Sequence, residues 1–369
     1  MNYPISVGLD VHKRSISAYS YNILTDERKV RTFGSDTAPL IAWLEEHTEP
    51  YRVVYESGHS GFSLKRTLEA AHISCEIAAT SKMAKAKGDR IKTDTRNAEE
   101  LARLLACGKL SFVYMPPIDF EGMRDVNRAY VTTRDALAAE KQRISKMCDR
   151  YGILYDGDLK PWTPEHLTWL NGITLPSKGA SLAMAHYLDE RERLFDEKTR
   201  MLGLIKVFCA EDELKPTIDA LRCLRGIAEY TAFCLLVEIV DFTRFDPPSA
   251  FGSFLGLVPS EYSSGETRAQ GKITKTGNSL VRKAIVESAW SSYRAKRAYK
   301  RPIDGVAPEI TRAANKANKR LFDKVQNLKA AKKKPCVAVV ATARELALWV
   351  AAIAFACQTG CIDGLEECL

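Results

Sequence analysis

Residues 5–21 read ISVGLDVHKRSISAYSY, and this stretch decides how the first part of the chain folds. Residues 5–11 are apolar almost throughout, which predicts a buried strand, and residues 15–21 alternate with a period of two, which predicts a second strand. Working outward, we predict strands at 29–33, 52–55 and 74–79, helices at 38–47, 64–71 and 95–106, and an extended segment at 112–115. Three early strands followed by strand–helix alternation predict a mixed α/β sheet over residues 1–117.

The middle of the chain, residues 118–213, is predicted to be helical. Residues 133–151 and 181–208 are long, charged amphipathic runs, and three prolines lie between them. This pattern favours an antiparallel helical pair or coiled coil, although a plain helical spacer has the same pattern.

The last part, residues 214–369, is predicted to be a mainly α domain that contains one Gly/Ser-rich loop. Short helices flank a Gly turn at 224–227, a device that either presents amides to phosphates or simply allows close packing. Residues 256–279 are rich in Gly, Ser and Thr and predict a loop with short strands, and helices are predicted from residue 280 and at 338–356.

Charge is distributed unevenly along the chain. The 369 residues carry a formal net charge of +8, but residues 265–334 contain 19 Lys and Arg against 5 Asp and Glu. That segment therefore carries +14 and the remainder −6. A basic segment interleaved with aromatic residues indicates a polyanion partner, DNA or RNA, because each neutralised phosphate releases counterions. A solvated helical surface is the alternative.

Cysteine content and hydropathy bear on the compartment. Ten cysteines without an N-terminal signal peptide predict reduced thiols in a cytoplasmic protein. Cys357, Cys361 and Cys368 are spaced like metal ligands but have no histidine nearby, so unpaired thiols are the prediction there. Two charged residues interrupt the apolar stretch 337–356, which argues against a membrane span.

Carboxylates stand at the ends of predicted strands and at the start of a helix. Asp10 ends the first strand, Glu56 follows the strand at 52–55, and Asp94 precedes the helix at 95–106. Side chains at strand ends emerge at the rim of an α/β sheet, where ligands bind. Converging carboxylates need a cation, and Mg²⁺ suits oxygen ligands and phosphates. Each acid alone could instead form a turn or cap a helix.

A serine lies within a Gly-rich basic segment, PSEYSSGETRAQGKITKTGN at 259–278. Glycines allow the backbone to approach a phosphate closely, and cationic side chains would hold it. A serine hydroxyl beside a metal or a cationic cluster could attack phosphorus and form a phosphoserine link. A phosphate-binding turn without chemistry is the alternative. The candidate nucleic-acid-binding residues are Arg268, Lys272, Lys275, Asn278, Arg282 and Lys283.

Taken in order, these motifs resemble those of the insertion-sequence transposases that combine an N-terminal DEDD-type, RuvC-like domain of RNase H fold with a C-terminal serine transposase domain. These are the bridge-RNA-guided recombinases. The resemblance covers nearly the full chain. It rests on GLDVHK at 8–13, YESG at 55–58, KTD at 92–94, residues 98–105, LRGI at 224–227, RF at 244–245, GLVPS at 256–260, SG at 264–265 and GKITKTGN at 271–278.

The resemblance implies roles for particular residues. The first three acids of the family metal site correspond to Asp10, Glu56 and Asp94. The nucleophile corresponds to Ser264, with Ser263 and Ser260 as the other choices.

The fourth acid of the family corresponds to Asn97, which is a departure from the pattern. Its amide oxygen can ligate Mg²⁺ but brings no charge, so metal affinity should weaken. Glu100, one helical turn further along, could substitute.

The resemblance also implies an activity and its partners. The chain would be a Mg²⁺-dependent transposase that joins Ser264 covalently to DNA and exchanges strands without ATP. Donor and target DNA would be selected by a non-coding guide RNA encoded by the element. A homo-oligomer, dimer or tetramer, would share the two halves of the site between protomers, and the helical region 118–213 would serve dimerisation. The protein would be cytoplasmic and associated with the nucleoid.

Two other functions fit the residues. One is a RuvC-like nuclease of the same fold that uses water as its nucleophile. The other is a nucleic-acid-binding protein without activity, such as a transposase copy inactivated at Asn97. The strand GLD followed by a polar hairpin also opens the actin and sugar-kinase ATPase fold, but the later Gly-rich loops of that fold are not found in order.

Overall fold

The computed structural model of the chain describes residues 3–58, 60–80, 83, 94–155, 160–261 and 270–362. Contacts group the chain into two units, unit 1 (Met1–Pro116) and unit 2 (Pro117–Leu369), each with its own apolar core. The further division of the second unit at residue 213 stays a prediction.

Unit 1 is built on one mixed sheet of five strands with helices on both faces, as the strand–helix alternation predicted. Its elements are β1 Ile5–Val11, β2 Ser15–Asn22, β3 Arg28–Gly34, α1 Ala38–Glu45, β4 Tyr51–Glu56, α2 Ser63–Ala70, β5 Cys75–Ala78 and α3 Asp94–Ala106. The strands lie in the order β3-β2-β1-β4-β5. Strand β1 is central because it pairs antiparallel with β2 and parallel with β4.

Side chains along β1 alternate between the two faces of this sheet. Val7 and Leu9 are fully buried in the core formed with α1 and α2. Gly8 and Asp10 face the opposite side, which α3 covers through Ala98. The α3 face is the one that carries the candidate site.

The extended segment predicted at 112–115 is present beside β5. Phe112 lies antiparallel to Ala78, and the N–H of Val113 donates to the carbonyl of Ile77 (2.8 Å). The segment therefore adds to the edge of the sheet before unit 2 begins.

Unit 2 opens with an antiparallel helical pair, as predicted. Helices α4 (Ile118–Arg150) and α6 (Lys178–Cys209) pack along each other, with the short α5 (Pro164–Asn171) between them in sequence. Ile144, near the end of α4, shares a small apolar core with Met184, near the start of α6. The buried positions of α4 recur at three- and four-residue spacings, as in a coiled coil, and include Met123, Asn127, Tyr130, Leu137, Ile144 and Cys148.

Helix α4 begins where the predicted helical region begins. Its first residue is Ile118, directly after Pro117, and the helix continues through most of the predicted amphipathic run at 133–151. Asp119 and Glu121 stand in its first turn, where carboxylates interact favourably with the helix dipole. Residues 118–132 also carry buried apolar side chains, Met123 and Tyr130, which pack in the core of unit 2.

The rest of unit 2 is a helical bundle with one small hairpin. Its elements are α7 Lys215–Arg222, α8 Glu229–Ile239, α9 Ala250–Phe254, β6 Pro259–Glu261, β7 Gln270–Ile273, α10 Ser279–Arg294, α11 Pro308–Ala330 and α12 Pro335–Thr359. The Gly turn at 224–227 serves close packing: a Cβ at Gly226 would lie 2.2 Å from the carbonyl oxygen of Ser288.

Helix α12 is the central helix of this bundle. By length and composition it could cross a membrane, yet 61% of its most apolar window is buried inside the unit. It packs against α7, α9, α10 and α11, and Trp349, Val350 and Ile353 are fully buried. Its apolar composition is therefore used in the core of unit 2.

Candidate active site

The parallel pairing of β1 and β4 brings two predicted acids to the same edge of the sheet. Leu9 pairs with Tyr55 in register, so Asp10 and Glu56 occupy the next position on adjacent strands. Because Leu9 and Tyr55 are buried in the α1/α2 core, Asp10 and Glu56 lie on the opposite, α3 side.

Gly8 allows α3 to approach β1 closely. A Cβ at this position would lie 2.0 Å from the carbonyl oxygen of Ala98 and 2.7 Å from the nitrogen of Ala102. Both distances are far below any real contact of a Cβ atom. The missing side chain thus places the first turn of α3, which contains Asp94 and Asn97, over the carboxyl end of β1.

Four side chains meet there. Asn97 Nδ2 donates a hydrogen bond to Asp10 Oδ2 (2.9 Å). His12 Nε2 lies 3.6 Å from Asp10 Oδ2 and 3.3 Å from Asp94 Oδ1. The side chain of Asp10 is 17% exposed, whereas His12 and Asp94 are about half exposed, so the cluster opens to solvent on one side.

The described parts of the predicted serine segment include β6 and β7, which pair antiparallel in unit 2 and are called the hairpin β6–β7 below. Ser263, Ser264 and Arg268 fall in residues 262–269, outside the described residues. Ser260 lies in β6, where its Oγ occupies the space beside Gly271: a Cβ there would come within 2.4 Å of it.

The described basic residues near the hairpin differ in their surroundings. Lys272 and Lys275 are exposed. Lys283 is exposed too, and its Nζ lies 3.7 Å from a carboxylate oxygen of Asp135. Lys275 has a φ of 56°, so the backbone turns sharply at this lysine.

Asn278 and Arg282 have clear structural contacts. Asn278 Oδ1 accepts the N–H groups of Leu280 and Val281 and so caps α10. Arg282 donates to two backbone carbonyls at the base of the hairpin, at 2.8 and 3.0 Å. Their proposed contacts with nucleic acid would come in addition to these contacts.

Two family models match the chain, over separate ranges of residues. The model described as "Transposase IS116/IS110/IS902 family" matches residues 218–303, and a model named DEDD_Tnp_IS110 and described as "Transposase" matches residues 7–153. A protein from Sinorhizobium fredii named as transposase y4qE is 34% identical over 310 residues, which cover 81% of this chain and 74% of that protein. The transposase for insertion sequence element IS1533 of Leptospira borgpetersenii is 27% identical over 346 residues, which cover 90% of this chain and 99% of that protein.

This chain belongs to the IS116/IS110/IS902 family of transposases. It is therefore an insertion-sequence transposase of the IS110 family, an enzyme class that cleaves and recombines DNA. Its five-stranded mixed sheet is consistent with the RNase H-like fold expected of a DEDD domain.

The DEDD domain of an IS110-family transposase suggests the use of a divalent metal ion, and the donor set of this cluster fits one. Ligand atoms of Asp10, His12 and Asp94 all lie within 4.8 Å of one another. The two carboxylates suit Mg²⁺ or Mn²⁺, whereas an imidazole is a ligand more typical of transition metals. In the observed orientation the amide nitrogen of Asn97 faces Asp10, so its oxygen would reach a cation only after the amide turns over.

Sequence reasoning did not assign a role to His12, although it was part of the motif at 8–13. The available signal was its position two residues after Asp10, which places both side chains on one face where β1 ends. Asp94, which follows Asp10 by 84 residues in the chain, contacts His12 as well, and only the packing of α3 reveals this contact.

Proposed function

We propose that this IS110-family transposase is a Mg²⁺-dependent DNA recombinase that uses Ser264 as a nucleophile and a guide RNA to select its DNA. The observation that carries the proposal is the convergence of Asp10, His12, Asp94 and Asn97 where β1 ends, with Glu56 on the adjacent strand.

The carboxylates supply what a phosphodiester reaction needs from the protein. A bound divalent ion polarises the scissile phosphate and offsets charge that develops on its oxygens. Asp10 and Asp94 would hold the ion, and Glu56 lies in register with Asp10 to share it. The hydrogen bond from Asn97 fixes the orientation of the Asp10 carboxylate, as an outer ligand shell does in metal sites.

The proposed step exchanges one phosphate ester for another. Ser264 Oγ forms a bond to phosphorus, the bond from phosphorus to one deoxyribose oxygen breaks, and the serine proton leaves with that oxygen. No net ester is lost, so strand exchange needs no ATP. Exposed Lys272 and Lys275 lie within the serine segment and support phosphate binding there.

The proposed partners follow from the family and from the surface. The exposed lysines at 332–334, between α11 and α12, lie in the basic segment and suit a nucleic-acid backbone. Guide RNA is proposed from the resemblance of the whole chain, and the α4–α6 pair offers a long helical surface for a homo-oligomer, dimer or tetramer.

A covalent adduct tests the nucleophile. The chain is incubated with element DNA, RNA and MgCl₂, then denatured, and protein linked to DNA is detected on a gel. We expect adduct with wild type, none with Ser264→Ala or Asp10→Asn, and wild-type amounts with Ser253→Ala, an exposed serine on α9. An adduct that persists in Ser264→Ala overturns the assignment, and Ser260→Ala and Ser263→Ala then locate the serine.

The same gel separates the nuclease function. Water as nucleophile would give cut DNA with free ends, nearly unchanged in Ser264→Ala and abolished in Asp10→Asn.

Sequencing of nucleic acid that co-purifies from a host carrying the element tests the guide. A discrete RNA mapping beside the gene is expected, and random cellular RNA would contradict this part of the proposal.

A further inference from the structure

We propose that Glu238 is a positioning residue that ties the hairpin β6–β7 to helix α4 and so controls where the serine segment stands. The effect of Glu238 on catalysis rests on the proposed function. The contacts of Glu238 involve only described residues of unit 2 and do not depend on that function.

Glu238 lies on α8 with its side chain fully buried, and each carboxylate oxygen accepts two hydrogen bonds. Oε1 accepts from Asn127 Nδ2 and from Arg128 Nε, both at 3.2 Å. Oε2 accepts from Arg128 Nη2 at 3.1 Å and from Asn278 Nδ2 at 2.8 Å. One carboxylate therefore joins α4, α8 and the residue that begins α10.

Asn278 is the link on the hairpin side. The same side chain that donates to Glu238 also caps α10, so the start of that helix is fixed relative to α8. The hairpin base is closed just before it: the N–H of Lys275 donates to the carbonyl of Gly256 at 3.1 Å. Gly277 packs so tightly that a Cβ would lie 1.9 Å from the carbonyl oxygen of Phe254.

Helix α4 is the link on the other side. Asn127 is fully buried and also accepts a hydrogen bond from the hydroxyl of Tyr230 (3.1 Å). Arg124 donates to the backbone carbonyls of Val237 and Glu238 at 3.1 and 3.3 Å. A displacement of α4 would therefore displace α8 and, through the Glu238 carboxylate, the base of the hairpin.

Replacing this carboxylate by an amide breaks the link at one of its two ends. A glutamine offers one acceptor oxygen and one amino group, and the amino group would face Arg128 together with either Asn278 or the buried Asn127. A buried donor left without an acceptor is costly. The guanidinium of Arg128 is half exposed and can donate to water instead. The amide of Asn278 cannot reorient in this way without losing its cap of α10.

Two variants and a control test the proposal in the full chain. Glu238→Gln removes one of the two acceptor oxygens. Asn278→Ser keeps a good helix cap but cannot bridge to Glu238 in the same way. The control is Glu345→Gln on α12, another largely buried carboxylate, held by Arg320 and Lys324 at 2.6 and 2.7 Å and away from the hairpin.

Hydrogen exchange and adduct formation are measured for each variant. In both test variants we expect faster exchange of the amides of Thr274 and Lys275 and at least about tenfold slower adduct formation, the rate equivalent of about 1.4 kcal/mol. In Glu238→Gln, whose changed side chain is buried, the affinity for element DNA should stay unchanged. Glu345→Gln should match wild type in all three, even where its melting temperature falls.

Each outcome decides the question. Unchanged exchange at the hairpin base in Glu238→Gln overturns the link, and faster exchange with an unchanged adduct rate overturns the positioning role. Equal effects in Glu345→Gln would show general destabilisation and also overturn it. If wild type forms no adduct while exchange responds as expected, the proposed function fails and the structural link stands.

Discussion

Replacing Gly8 by alanine should open the candidate active site without touching any of its side chains. The added Cβ would lie 2.0 Å from the carbonyl oxygen of Ala98, whereas ordinary contact starts at 3.4 Å. Helix α3 must therefore withdraw by about 1.4 Å at this point, an overpacking strain of about 1–3 kcal/mol.

That displacement acts on the cluster because α3 carries two of its members. The hydrogen bond from Asn97 to Asp10 is 2.9 Å long in the wild type and would exceed hydrogen-bonding distance after such a shift. Asp94 would move away from His12 by a similar amount, so a cation would no longer contact all of its ligands. We expect a melting temperature lower by about 4–12 °C for unit 1 and a loss of most metal-induced stabilisation.

Scanning calorimetry with and without MgCl₂ or MnCl₂ measures both effects, and titration calorimetry measures metal affinity directly. Gly34→Ala is the matched control, since the same methyl group on β3 meets nothing within 4 Å. A Gly8→Ala protein that melts at the wild-type temperature and keeps its metal response would refute the reasoning.

Three further predictions follow from single contacts. Asn97→Asp places a second carboxylate beside Asp10, so without metal the free energy of unfolding should fall by about 1 kcal/mol. The Mg²⁺ affinity, measured by titration calorimetry, should rise roughly tenfold. An unchanged affinity would mean that position 97 does not contribute to the site. Burial lowers the pKa of His166 from 6.5, so the unfolded chain takes up the proton more readily and the free energy of unfolding should fall as the pH drops below 6.5. Urea titrations of wild type and His166→Gln across this range test it, and parallel curves would contradict it. Burial raises the pKa of Cys234 to about 11, so little of this thiol is in the reactive thiolate form. After brief maleimide treatment of the folded chain, mass spectrometry should find the exposed Cys336 labelled and Cys234 unlabelled. Equal labelling of the two thiols would refute the packing around Cys234.

Much of the fold of unit 1 was readable from local pattern. Strands are recognisable from apolar runs and period-two alternation, and these patterns are local in the sequence. The positions of Asp10 and Glu56 followed as well, because parallel strands align their carboxyl ends at one edge of a sheet. The helical start near residue 118 was readable too, but the pattern did not show that the buried positions of α4 pack on helices that lie far along the chain.

The sequence by itself determined the strands of the sheet, the acids at their ends and, through the order of its motifs, the family. The tertiary structure decided which side chains meet. Asn97 reaches Asp10 across 87 positions only because Gly8 lets α3 lie against β1, and Asn278 reaches Glu238 across 40. Such contacts depend on how whole helices pack, and a packing distance is set by the sum of many side chains rather than by any local pattern.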